Sequence, residues 1–306
     1  MSATEPYRIR TIEEYHHLAG LPRPEHPLVS VVNMADVRWV LMDPPQSRTV
    51  DFYCITLKRH SGNAFRYGQQ QYQTQGGIMY FMAPGQVFGP PPAYDENNKT
   101  TGWGLYIHPD FLWNTPLTKQ IRRYEYFDYA VNEALALTEK EEATMISIIQ
   151  NIQTEYNANM DRFSQDIIIS HIETLLNYSD RFYNRQFLSH KIENNQMLDK
   201  LEDLLNDYFN GKDLLAHGSP SVQYVADKLN ISPNYLSSSL KILTGRNTQQ
   251  HIQDKMLEKA KEIISTTELS VSEISYELGF DHPQSFSRLF KAKTGQSPLE
   301  FRQAFN

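Results

Sequence analysis

VQYVADKLNISPNYLSSSLKILTG, from Val222 to Gly245, returns in altered form as VSEISYELGFDHPQSFSRLFKAKTG, from Val271 to Gly295. Val225, Ala226, Leu229 and Ile231 align with Ile274, Ser275, Leu278 and Phe280 at an offset of 49. Leu236, Ser237, Leu240, Lys241, Thr244 and Gly245 align with Phe286, Ser287, Phe290, Lys291, Thr294 and Gly295 at an offset of 50. A repeat that keeps its apolar positions while most polar ones drift marks a duplicated structural unit.

Each copy reads as two short helices joined by a tight turn. Val222, Val225, Ala226 and Leu229 recur at helical spacing and turn one stripe toward a core. Asn230 in the first copy and Gly279 in the second stand at the helix stop, where both residue types tolerate a left-handed backbone. Ser232 and Pro233 then supply an N-cap and a first-turn proline, and Asp281 or His282 before Pro283 plays the same part. Ala226 and Ser275 are small, which lets the second helix cross the first closely. This is the shape of a helix-turn-helix, and a tandem pair points to duplex DNA.

Between the copies, Ile252, Met256, Ala260 and Ile263 predict a helix over residues 247–266. Its nineteen or so residues would span roughly 28 Å. One turn of duplex is roughly 34–36 Å, so such a helix can present two reading helices to successive major grooves.

The run ISYELGF, then FSRLFKAKTGQSP, then EFR makes the stretch from about Met197 to Asn306 resemble the DNA-binding domain of AraC/XylS-type transcription regulators. The first copy departs from that pattern. Where the family commonly carries an arginine and a bulky apolar residue, YLSSSLK has Ser238 and Ser239. Residues near the start of each second helix are expected to face bases: Asn234, Ser237 and Ser238 in one, Gln284, Ser285 and Arg288 in the other. Arg288 suits either a bidentate contact to guanine or a contact to phosphate. Lys241 and Lys291 are expected on phosphates, with Arg246 and Lys293 adding local charge. The resemblance implies a homodimer, a small-molecule effector, and RNA polymerase as a partner if the protein activates.

The chain has 306 residues, enough for two domains, and a net charge of −7. From Ser219 onward ten Lys and Arg face nine Asp and Glu, which leaves −8 on the rest. Few phosphate contacts predict a shallow salt dependence and a need for a dimer. The single cysteine, Cys54, excludes an internal disulfide and reads as a buried small hydrophobe. The first twenty residues lack an apolar signal core, and no run of about 18 apolar residues exists. A cytoplasmic protein without a membrane span is expected.

From about Val29 to Tyr106, VSVVNM, RWVLMD, VDFYCITL, NAFRYG, QQYQT, GIMYFM and GWGLYI read as short strands separated by Gly, Pro and Asn. Strands so punctuated suggest a jelly roll or barrel. DFYCITLKRHSGNAFRYG and GGIMYFMAPGQVFG resemble the cupin-like effector domain of the same regulators. A cupin metal site needs clustered histidines, yet SRTVDF stands where His-x-His belongs, and Gln86-Val87-Phe88 follows Pro84-Gly85 without one. His60 and His108 stand apart. No metal, no cofactor and no catalytic residue is expected. A barrel mouth lined by Trp39, Tyr53, Arg66, Tyr80 and Trp103 is the candidate effector site.

Thr138 opens a capping box with Glu141 ahead of a stripe of Met145, Ile148, Ile149, Ile152 and Tyr156. Ser164 can cap the next helix. There Ile168, Ile172, Leu175, Ser179 and Phe182 make one apolar row, and Ile169, Leu176 and Tyr183 a second. A face this broad makes the 164–183 helix the expected dimer contact. Residues 184–195 read as a linker, and Met197 opens a helix carrying Leu198, Leu201, Leu204, Leu205, Tyr208 and Phe209. The fold class is therefore α+β in two domains: 1–187, a cupin-like jelly roll with two following helices, and 196–306, an all-α domain with two helix-turn-helix units joined by a bridging helix. The leading function is sequence-specific binding of double-stranded DNA in transcription regulation. The alternatives are a cupin-type enzyme with a helical appendage and a protein-binding module with a degenerate helix-turn-helix.

Overall fold

A computed structural model describes residues 5–39, 47–59, 64–67, 70–73, 76–89, 101–130, 133–158, 161–189, 191–211 and 213–304. The chain divides into two compact units, Met1–Gln186 and Phe187–Asn306.

The first unit opens with β1 (Tyr7–Ile9) and α1 (Ile12–Leu18), whose N-cap Thr11 accepts from the Glu14 amide. Then come β2 (Val29–Asn33), β3 (Arg48–Val50), β4 (Tyr53–Arg59), β5 (Ala64–Tyr67), β6 (Gln70–Gln73), β7 (Ile78–Met82) and β8 (Thr101–Ile107). After α2 (Leu117–Gln120) and β9 (Leu135–Ala136) come α3 (Glu139–Tyr156) and α4 (Ser164–Ser189). The described strands form a five-stranded antiparallel sheet in the order β2-β8-β4-β7-β9, a parallel pair β1-β3 and a hairpin β5-β6. A strand was expected over residues 38–43. Instead Arg38 and Trp39 lie outside any strand, after a single helical turn over Met34–Asp36. Residues 40–43 fall outside the described part. The expected run 50–57 is broken at Asp51-Phe52, where the chain leaves its pairing with β1 and enters the main sheet.

The capping box at Thr138 forms with Glu141, and Met145, Ile148, Ile149, Ile152 and Tyr156 are all buried. Ser164 does not cap α4. It lies inside the first turn with its hydroxyl on Glu155 Oε1 at 2.6 Å, and Asp161 Oδ1 accepts from the Phe163 amide instead. Both apolar rows of α4, including Ile168, Ile169, Ile172, Leu175 and Leu176, are buried within the single chain. Its exposed side carries Ile167 and follows Phe163.

Residues 184–189 and 191–195 of the stretch read as a linker are helical. Residues 184–189 continue α4, and α5 (Lys191–Asn210) begins before Met197. Neither segment contains Gly or Pro to stop a helix, and Phe187 is buried. The second unit continues with α6 (Asp213–His217), α7 (Val222–Leu229), α8 (Pro233–Thr244), α9 (Thr248–Thr266), α10 (Val271–Glu277), α11 (Pro283–Thr294) and α12 (Pro298–Gln303). Its core gathers Leu201, Leu205, Val225, Leu236, Leu240, Ile252, Met256, Ile274, Phe286 and Phe290 from these helices. On α9, Ile264 rather than Ile263 completes the fully buried row, because 3.6 residues per turn carries the stripe past position 263 by the last turn.

Candidate nucleic-acid interface

The two helix pairs form as their punctuation requires. Asn230 ends α7 at φ 56°, and Gly279 follows α10 at φ 80°. Ser232 accepts from the Tyr235 amide at 3.3 Å, and Pro233 occupies the first turn of α8. His282 precedes Pro283 at α11 but makes no side-chain cap bond. Gly245 and Gly295 close the two helices in the left-handed region. Val225 and Ala226, with Ile274 and Ser275, are buried where each first helix meets its second. The central α9 packs against both α8 and α10, so one element holds both pairs.

On α11, Gln284, Ser285, Arg288 and Lys291 are exposed, while Phe286 and Phe290 point into the core. On α8, Lys241 is exposed, and Asn234 and Ser238 are half-buried. Ser237 is turned toward α9, its hydroxyl 3.0 Å from Thr248 Oγ1. Ser239 is buried, donates to the Leu236 carbonyl at 3.0 Å and lies 3.7 Å from Met197 Sδ. The methionine of α5 thus fills the space that a bulky residue at 239 would take. Arg246 pairs with Asp254 at 2.7 Å on the exposed side of α9. Arg302 is spent on structure: it donates to the carbonyls of Ile264 and Leu269 at 3.2 and 2.7 Å. Arg288 and Lys241 form no ion pair among the described residues. Sequence reasoning passed over Tyr276 of α10, which is 59% exposed, because its place in the helical pattern differs little from that of a core aromatic.

A second candidate site lies in the first unit. A cavity of about 410 Å³ opens on the face of the main sheet that carries Cys54, Thr56 and Lys58 of β4. Trp39 and Tyr80 lie on its wall. Tyr53 and Trp103 do not: side chains alternate along a strand, and Tyr53 sits with Ile55 and Leu57 on the opposite face, where it meets Phe127 at 5.1 Å between ring centres. Trp103 pairs with Leu57 in register and shares that face. The Arg66 side chain and His60 lie outside the described residues. His108 accepts from the Asp110 amide at 3.2 Å and caps a helical turn. Lys58 was not singled out from the sequence, although its two-residue spacing from Cys54 and Thr56 was legible. Burial alone pushes its amine below the ordinary lysine pKa. Among the described residues no three His, Cys, Asp or Glu gather as a metal site requires, and no helix is long and apolar enough to cross a membrane.

Comparison with known proteins follows this geometry. A helix-turn-helix domain family matches residues 225–304. The transcriptional regulatory protein YesN of Bacillus subtilis (strain 168) is 39% identical over 94 residues, 30% of this chain and 26% of that protein. The arabinose operon regulatory protein of Escherichia coli (strain K12) is 34% identical over 90 residues, 29% of this chain and 31% of that protein. The transcriptional activator RhaS of Escherichia coli O1:K1 / APEC is 24% identical over 255 residues, 83% of this chain and 86% of that protein. The chain thus spans under a third of the length of the first two. With the tandem pairs, their caps and the exposed α11 face in place, the chain carries a C-terminal helix-turn-helix domain of the AraC/XylS type.

Proposed function

We propose that the protein is a sequence-specific DNA-binding transcription regulator whose α8 and α11 enter successive major grooves on one side of the duplex. The observation that carries this is the equivalent setting of the two helices. Each starts at a proline and ends in a left-handed glycine, and α9, whose 19 residues span roughly 28 Å, packs against α8 of the first pair and α10 of the second. In this reading Gln284, Ser285, Arg288, Asn234 and Ser238 face bases, and Lys241 and Lys291 meet phosphates. Ser237 positions α8 through Thr248, and Arg246 is shared between Asp254 and the DNA backbone.

The first unit is proposed as a cupin-like domain that binds a small-molecule effector in its cavity and joins two copies through the 164–183 helix. The exposed Phe163 and Ile167 support that pairing, since the buried rows of α4 are already occupied. No catalysis, metal or cofactor belongs to this reading, and RNA polymerase is the partner if the protein activates. A gel-shift against fragments of the source genome in low salt tests it. Retarded fragments sharing a direct or inverted sequence are expected; uniform, sequence-blind binding would remove specificity. Absence of any shift would favour the alternative of a protein-binding module, to which the near-neutral charge of the C-terminal part lends weight.

A further inference from the structure

We propose that the cavity on the first unit takes an apolar monoanion, a carboxylate on an aromatic or aliphatic body, with its charge against Lys58. This rests on the reading of that unit as ligand-binding and names the class of ligand. The register places Cys54, Thr56 and Lys58 of β4 beside Tyr106, Gly104 and Gly102 of β8. On the other side stand Met82, Tyr80 and Ile78 of β7. The Tyr106 ring lies over Gly104, and neither glycine can be replaced by a bulkier residue. A Cβ on Gly102, at φ +129°, would fall 2.0 Å from the Leu57 carbonyl oxygen, and one on Gly104 would fall 2.6 Å from Tyr106 Oη. The Lys58 ammonium lies 5.7 Å from the centre of the Tyr80 ring.

No Asp or Glu stands among the described residues that line the cavity, and Lys58 is the one charged side chain among them. The Arg48 guanidinium sits 4.6 Å from the centre of the Trp39 ring. The remaining wall is largely apolar, with Met34, Val50, Phe81 and Phe88. Several polar groups of the lining are already engaged: the Tyr15 and Tyr106 hydroxyls bond each other, Tyr126 and Tyr183 donate to the Leu176 and Glu133 carbonyls, and Gln86 bonds the Ala83 amide and the Tyr129 carbonyl, which leaves less for a polyol. A cation held without an acid beside it among the described residues is stabilised by an anion brought by the ligand, and an ammonium group donates charge-assisted hydrogen bonds to a carboxylate. Burial, which lowers the amine's pKa, would be opposed by that anion.

The test is calorimetric titration of the full chain at neutral pH with two matched pairs: naphthalene-2-carboxylate against 2-naphthylmethanol, and octanoate against 1-octanol. At least one acid is expected to bind on the order of tenfold tighter than its alcohol. Lys58→Met should erase that preference while keeping the alcohol's affinity, and Lys58→Arg should retain it. Lys58→Gln serves as a second neutral variant, with the thermal transition of each checked. An acid preference that survives in both neutral variants, or alcohols that bind as well as acids, overturns the Lys58 assignment alone. Silence from all four compounds overturns it together with the ligand-binding reading. The stronger acid identifies the aromatic or the aliphatic source.

Discussion

Gly218 and Gly279 meet backbone to backbone: a Cβ placed on Gly279 would lie 2.2 Å from the Gly218 Cα. Both residues are left-handed, at φ 71° and 80°. The Gly218 carbonyl also accepts from Tyr208 Oη at 2.9 Å. The approach to the first helix pair is thereby clamped against the stop of α10 in the second, so the pairs are coupled by more than α9. Gly279→Ala should cost about 3 kcal/mol or more, from left-handed strain plus backbone displacement. Gly245→Ala, at φ 76° with nothing near its Cβ, should cost only the strain, roughly 1–2 kcal/mol. Urea unfolding of the two variants decides, and equal losses would remove the clamp.

The buried Ser239 and the half-buried Met197 should be energetically coupled. Ser239→Leu overpacks the site and should cost roughly 1–3 kcal/mol. Adding Met197→Ala should recover part of that loss, because the leucine then fills the space that the methionine vacates. A double-mutant cycle with zero interaction would show that the two side chains do not share that volume.

Arg288→Ala should weaken specific DNA binding by roughly 1–3 kcal/mol and relax preference at one base position. Lys241→Ala should weaken all sequences alike and lower the salt slope by about 0.9. Titrations on specific and scrambled duplexes at several salt concentrations separate the two. An equal loss on both duplexes for Arg288→Ala would reassign Arg288 to the backbone.

Arg246 is held by Asp254 at 2.7 Å, and both side chains are exposed in part. Removing the acid in Asp254→Asn should raise DNA affinity and steepen the salt dependence by up to about one ion. Little change in stability is expected, since exposed pairs contribute about 0–1 kcal/mol. Unchanged salt dependence would place Arg246 away from the phosphates.

His16 is buried between the Pro22 carbonyl, 2.5 Å from Nδ1, and the Ser30 hydroxyl, 2.8 Å from Nε2. Desolvation lowers its pKa below the ordinary histidine value of 6.5. The unfolded chain therefore takes up the proton first. The stabilising contribution is complete above pH 6.5 and declines as pH falls below it toward the lowered folded value. The thermal midpoint should drop between neutral pH and pH ~5, and His16→Gln should flatten that drop. An identical pH profile in the variant would assign the drop to other groups.

Much of the DNA-binding half was legible because its punctuation is local. Asn230, Ser232, Pro233, Gly245 and Gly279 each act on a backbone within a few residues, so their roles follow from residue type and spacing. The stretch 184–195 was misread for the complementary reason: polar composition resembles a linker, while the absence of Gly and Pro together with the buried Phe187 keeps residues 184–189 and 191–195 helical. In the first unit, aromatic residues marked strands well but faces poorly. Tyr53 and Trp103 were grouped with Trp39 and Tyr80, yet parity sends them to the other side of the sheet.

The sequence by itself determined the tandem repeat, the helix starts and stops, the apolar stripes that build the second unit and the exposed basic face of α11. Each of these depends on neighbours within about four residues, where helical geometry leaves little choice. Only the tertiary structure decided which face of β4 borders a cavity, that Met197 fills the space beside Ser239, that Asp254 holds Arg246 and that Gly218 touches Gly279. Those outcomes join residues that are distant along the chain, and strand register and helix packing, rather than local preference, bring such residues together.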